Sequence, residues 1–136
     1  MIVANASAIV LSVLDDNIDA RASVSRDRLR GSVIAAPAHW HIESTNAIRG
    51  LVMGQAITEL EGDRALGVLA RLHIAEHPTR DHWQRIWQLR HNFTAYDAAY
   101  IALAEHLAVP LVTAETGFVA AGIARCDILT VRRPTN

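Results

Sequence analysis

Four side chains could act together if the fold gathers them: Asn5, Glu43, Asp97 and Glu115. All four offer oxygen. Three are carboxylates, and carboxylates crowded a few ångströms apart resist joint ionisation unless a cation neutralises them. Oxygen donors of this kind select hard ions, which makes Mg²⁺ or Mn²⁺ the expected cofactor. Such an ion lowers the pKa of a bound water, polarises a phosphate and stabilises a leaving oxygen. The chemistry implied is hydrolysis of a phosphate ester, with the ester itself left open.

The hydrophobic pattern lays out the elements that must position these groups. Residues 1–4 read as a buried strand and 5–14 as the helix after it. An amphipathic helix over 18–30 stops at Gly31, and 32–36 form the second strand. Pro37 suits the first turn of a helix over 38–53, followed by a helix over 59–72 and a short strand over 73–75. Residues 79–90 are expected to be helical, with Trp83, Ile86, Trp87 and Leu89 on an apolar side. A periodic helix over 95–107 closes before Pro110; a strand over 111–113, a helix over 116–124 and a strand over 128–131 complete the chain. Strands alternating with helices predict an α/β domain over residues 1–131, a central parallel sheet of four or five strands covered on both faces. Residues 132–136 read as a loose tail, and the Gly50–Gly54 pair as a place of close helix packing.

In such a sheet, ligands bind beyond the carboxyl ends of the strands. Asn5 follows the first strand at that edge. Right-handed crossovers start the helix carrying Glu43 there too. Asp97 lies in the first turn of the helix that precedes strand four, and Glu115 follows that strand. Four separated segments thus bring their donors to one edge.

Composition narrows the alternatives. The chain is 136 residues long, 51% hydrophobic and 20% charged, an ordinary globular balance. No apolar run nears the roughly 20 residues of a bilayer span, and the N-terminus lacks a secretory pattern, so a cytoplasmic protein without a membrane role is expected. A lone Cys126 allows no internal disulfide and no Cys-based zinc site. With a formal net charge of -1, any nucleic-acid groove must be local. All 13 basic residues are Arg. The absence of Lys excludes a P-loop, a side-chain Schiff base and the receiver-type phosphoacceptor arrangement, and no Gly-rich phosphate loop supports a nucleotide-binding domain.

The segments carrying the four donors also have a family look. MIVANASAIV resembles the opening of PIN-domain toxins, where a hydrophobic strand ends in Asp-Ala-Ser-Ala. APAHWHIESTNAIRG resembles their second motif, whose Glu sits on a helix just after a Pro, and FTAYDAAYIALAEHLAVPLVTAETGF the stretch with their third and fourth acids. The match runs from Met1 through Phe118 and is similar to the toxin half of VapBC toxin–antitoxin pairs. It implies a PIN-like, Rossmann-like three-layer sandwich and a metal-dependent endoribonuclease that leaves a 3′-hydroxyl and a 5′-phosphate. It also implies a homodimer and a small cognate antitoxin whose tail enters the acidic groove.

By the same resemblance Glu43 and Asp97 carry over as acidic metal ligands, Asn5 stands where the family has its first Asp, and Glu115 where it has its fourth. Asn5 removes one charge while keeping a carbonyl oxygen, and Glu115 is one methylene longer. Ser7 and Thr113 match small polar positions able to hydrogen-bond the ligating groups. These departures keep a second function open, a catalytically weakened PIN protein that binds an antitoxin or RNA.

Plainer roles exist for each residue. Asn5 and Ser7 can cap the following helix, Thr94–Asp97 resembles a capping box, Glu43 can be a solvated helix charge, and Thr113 or Glu115 a turn residue. His39 and His41 would serve zinc only with outside ligands, since positions i and i+2 of a helix face different ways. Trp83 and Trp87 read as core or dimer packing rather than a base-stacking platform. Together with Ile9 and Val13 they suggest apolar surface for a symmetric dimer.

Overall fold

The computed structural model describes residues 1–135. Five strands, β1 (Ile2–Ala4), β2 (Ile34–Pro37), β3 (Ile74–His77), β4 (Leu111–Thr113) and β5 (Ile128–Thr130), form one parallel sheet in the order β3-β2-β1-β4-β5. The chain therefore winds outward from β1 in one direction and returns past it to β4. The switch point lies between β1 and β4, the place where a sheet of this kind opens a crevice at its carboxyl edge.

Helices α1 (Ala6–Ser12), α2 (Arg21–Leu29), α3 (Trp40–Met53) and α4 (Glu59–Leu69) make the β1→β2→β3 crossovers. Helices α5 (Trp83–Gln88), α6 (Ala95–Leu107) and α7 (Gly117–Ala120) make the return, and right-handed crossovers put the two groups on opposite faces. The expected α/β sandwich is thus the architecture, with five strands. The α6 helix packs on β1, β2 and β4 and is buried from Ala98 through Ala104. Its many alanines let the helix axis come close to the sheet, while Tyr100, Ile101 and Leu103 supply the bulk. Thr94 sets its start by accepting from the Asp97 N–H, and Ala108 ends it in the left-handed region at φ 56°.

Several boundaries differ from the sequence pattern. Pro37 does not open a helix; it ends β2 opposite His77, beyond the point where the register with β1 stops at Ala35, so its missing N–H breaks no pairing there. Helix α2 begins at Arg21, where the Asp19 carboxylate accepts from the Arg21 N–H. The 79–90 segment divides into a 3₁₀ turn at Arg80–His82 and the short α5. Only Ile86 of α5 and Leu89, which caps it, reach the core; Trp83 and Trp87 are 66% and 65% exposed. At 100° per residue those pairs occupy adjacent faces, and the shallow helix buries only one. Ile9 lies wholly in the core and is not free to build a dimer interface, and Val13 is partly buried against that core. Close helix packing belongs to Gly62, where a Cβ would meet Val52 Cγ2 at 2.6 Å, and not to Gly50. Residues 132–135 are exposed without regular structure, and Asn136 lies outside the described residues. Among the described residues no helix is long and apolar enough to cross a membrane.

One ion pair fastens the second helical layer. Arg85 of α5 donates to both oxygens of Glu105 on α6, at 2.7 and 2.9 Å, and the Arg125 N–H donates to the same carboxylate at 2.6 Å. The pair is largely shielded, with side-chain exposures of 20% and 12%. Burial works against the Glu105 charge, but Arg85 and Arg125 outweigh it and hold the carboxyl below its ordinary 4.5. A depressed carboxyl stabilises the fold above its unfolded pKa and loses that contribution as pH falls through the folded value. Glu105→Ala is therefore expected to cost about 2 kcal/mol near neutral pH, less than a fully buried pair would. Its deficit against the parent should shrink as unfolding is measured at pH values progressively below 4.5; a deficit independent of pH would mean the loss is one of packing alone.

Candidate active site

Each expected donor is placed by a local device. Asn5 follows β1 and caps α1, its Oδ1 accepting from the Ala8 N–H at 3.3 Å. Glu43 lies in the first turn of α3 and Asp97 in the first turn of α6. Glu115 follows β4, with its N–H donating to the Thr113 hydroxyl at 3.0 Å. The carboxyl ends of β1 and β4 therefore carry Asn5 and Glu115, and two helix N-termini bring Glu43 and Asp97 to the same crevice.

The three acids feel one another. Desolvation first, and then the negative charge of Glu43, raises the Asp97 carboxyl above its ordinary value. The Glu115 carboxyl is likewise pushed up, by desolvation and then by the charges of Asp97 and Glu43. Glu43 goes the other way. Burial disfavours its charge, but hydrogen bonds from His39 and Tyr100 outweigh burial and hold it low. Tyr100, 1% exposed, donates its hydroxyl to Glu43 Oε1 at 2.7 Å. Burial and that bond push the phenol far above its usual range, so it stays a donor. His39 Nε2 stands 3.1 Å from the same oxygen and 3.2 Å from the Tyr96 carbonyl. Two acceptors around one ring nitrogen require the proton to sit on it. The pair thus fixes one oxygen of Glu43 and leaves the second for a ligand.

Asn5 is held differently from the expectation. Its side chain is buried, at 2% exposure, and its Oδ1 accepts from the Ser7 hydroxyl at 2.6 Å as well as from Ala8. Its Nδ2 donates to Thr113 Oγ1 at 2.8 Å. Exchanging the amide oxygen and nitrogen would set an NH₂ against the Ala8 N–H, so the orientation is determined. Both lone pairs of the amide oxygen are committed, and the other terminus is a nitrogen that cannot ligate a cation. Asn5 is a brace that ties β1, α1 and β4, with the Ser7 hydroxyl completing it by accepting from the Ala114 N–H at 3.0 Å. Ser7 and Thr113 hydrogen-bond Asn5 and the Ala114–Glu115 backbone.

Among the described residues no three His, Cys, Asp or Glu side chains already stand at metal-holding separation. The three carboxylates form an open mouth, close enough to repel and too far apart to chelate as they stand. His39 and His41 do not act together, since His41 Nδ1 lies 3.9 Å from Glu76. Tyr100 was not anticipated. The available signal was its spacing: at i+3 from Asp97 it shares that helix face. Arg21 was also missed; held by Asp19, it reaches the Ala114 carbonyl at 3.4 Å, next to Glu115. Arg26 pairs with Asp16 and donates to the Leu14 carbonyl.

The chain is similar to known ribonucleases over most of its length. Ribonuclease VapC12 of Mycobacterium tuberculosis is 43% identical over 115 residues, 85% of this chain and 87% of the relative. VapC ribonuclease Mb0985 of Mycobacterium bovis is 36% identical over 133 residues, 98% of this chain and all of the relative. The crystal structure of Mycobacterium tuberculosis VapC20, a Sarcin-Ricin loop cleaving toxin, superposes with a TM-score of 0.63 over 98% of this chain and 100% of that one, at 16% identity, a likeness of fold. No family model matches the chain.

Proposed function

Because the chain belongs to the VapC ribonucleases, PIN-domain toxins of toxin–antitoxin pairs, we propose that it is a metal-dependent endoribonuclease whose cleft is the mouth formed by Glu43, Asp97 and Glu115. The observation that carries this reading is that three carboxylates from three separate segments meet at the carboxyl edge of the sheet, where desolvation first and then neighbouring negative charge raise Asp97 and Glu115. A protein gains nothing structural from such crowding, and groups raised by their neighbours' charge in a cleft are what a functional site requires. The donor set is all oxygen, which fits Mg²⁺ or Mn²⁺. Glu43, Asp97 and Glu115 would hold the ion, and Asn5 would not.

A hard cation bound there would neutralise the acids, polarise a phosphate and lower the pKa of a water. The chain's own residues perform the rest. Tyr100 and His39 keep Glu43 ionised and aimed. Thr113 fixes the backbone entry to Glu115, and the Asn5 brace holds the β1 and β4 ends in register. An RNA phosphate is the anion such a cleft takes once its charge is offset. The same chemistry suits a small antitoxin bearing an Arg-containing tail, since a guanidinium can pair with the carboxylates in place of metal. A homodimer and a cytoplasmic setting complete the proposal.

The Asn5 amide favours a second reading, a weakened nuclease retained for binding antitoxin or RNA. Cleavage of a labelled RNA by the purified chain decides between them. The nuclease reading expects fragments that appear with Mn²⁺ or Mg²⁺, end in 3′-hydroxyl and 5′-phosphate groups, and vanish with EDTA. Intact RNA under all these conditions, with binding preserved, would establish the second reading.

A further inference from the structure

Beside the acidic mouth lies a cavity of about 430 Å³ lined by His39, Arg80, Trp83, Tyr96, Ile86 and Ala99, among others. We propose that it is a nucleobase subsite, which receives one unstacked base of single-stranded RNA next to the phosphate presented to Glu43, Asp97 and Glu115. This assignment deepens the ribonuclease reading and rests on it.

Three observations carry the proposal. First, the cavity and the acidic mouth share a residue. His39 lines the cavity while its Nε2 lies 3.1 Å from Glu43 Oε1, so a ligand seated here adjoins the carboxylates. Second, the exposed rim is aromatic and the base of the cavity is apolar. Trp83 is 66% and Tyr96 64% exposed, whereas Ile86 and Ala99 are buried. Flat faces over an apolar floor suit a base, and proteins read unpaired RNA bases by stacking them on aromatic side chains. Third, the cavity carries a cation without a protein counter-charge. The Arg80 guanidinium stands 5.5 Å over the Trp83 ring and forms no ion pair among the described residues.

Arg80 also separates RNA from the other occupants. Burying it unpaired in a dimer interface would be costly. A cationic tail suited to the carboxylates would be repelled by it. An RNA strand brings a base for the ring and a phosphate for the guanidinium together.

The test measures binding of a short fluorescein-labelled single-stranded RNA whose phosphorothioate linkages resist cleavage, in Mg²⁺, so that the acids' charge is offset while binding alone is read. Trp83→Ala should weaken binding about tenfold or more, the usual worth of one stacked base, and Trp83→Phe should retain most of it. Trp87→Ala, equally exposed but outside the cavity, should bind as the parent does. RNA should quench tryptophan fluorescence in the parent and in Trp87→Ala, and not in Trp83→Phe. An abasic strand of the same length should bind the parent and Trp83→Ala alike. Parent-like RNA binding by Trp83→Ala overturns the subsite while leaving the nuclease reading intact. Conversion of a dimer to a monomer by both Trp83→Ala and Trp87→Ala in light scattering would make this face a protein interface instead. Quenching of Trp83 by an Arg-containing peptide but not by RNA would make it a peptide pocket.

Discussion

Asp97→Asn is expected to lower metal-dependent RNA cleavage by at least about a hundredfold, since groups that merely steady a metal ligand already cost about 10–100-fold when lost. The substitution keeps the shape of the side chain and the Asp97 N–H that Thr94 accepts. It removes a carboxylate that Glu43 pushes against and that sits partly shielded from water. The fold should therefore be as stable as the parent, or more stable by up to about 1 kcal/mol, as when a like charge is taken from a crowded site. Activity lost with stability held marks a group maintained for chemistry. Thermal unfolding beside a cleavage assay reads both. Cleavage retained in Asp97→Asn would remove this acid from the machinery, and a large drop in Tm with the activity loss would make it structural.

Asn5→Asp is expected to raise Mn²⁺ affinity and RNA cleavage by about tenfold or more. The reason lies in which atom changes. Asn5 Oδ1 is held by Ser7 and Ala8, and that half of the side chain would be unaltered in Asp. The Nδ2 that donates to Thr113 becomes a second carboxylate oxygen, able to ligate. Thr113 can rotate its hydroxyl to donate where it accepted, so the brace between β1 and β4 survives. Asp caps a helix as well as Asn does, and the stability change should stay within about 1 kcal/mol. An Asn5→Asp chain with unchanged metal affinity and cleavage would show that the first position contributes only as a cap. A parent chain already as active as the variant would show that three acids suffice.

Much of this was legible in the sequence because it depended on local signals. Thr94 before the apolar run and Pro110 after it fix α6 and β4 to the residue. The order of elements alone sends Glu43, Asp97 and Glu115 to the carboxyl edge. What was not legible depends on neighbours far along the chain. The partner of the Asn5 Nδ2 is Thr113, 108 residues away, and no local pattern distinguishes a braced Asn from a ligating one. Tyr100 reads as a core residue by every periodicity argument, and it is one; only the meeting of α3 and α6 shows where its hydroxyl goes. The core placement of the two tryptophans failed for another reason. Their spacing was apolar and helical, but a six-residue helix has room to bury one face, and Ile86 and Leu89 took it.

The most direct test of the central claim is Mn²⁺ binding to the purified chain, followed by electron paramagnetic resonance as free Mn²⁺ is depleted. If Glu43, Asp97 and Glu115 form one cation site, the parent should bind Mn²⁺ with a single dominant affinity, Mg²⁺ should compete for it, and Asp97→Asn should lose it while remaining folded. Mn²⁺ bound equally well by the parent and by Asp97→Asn, or not bound by either while RNA is still cut, would contradict the account.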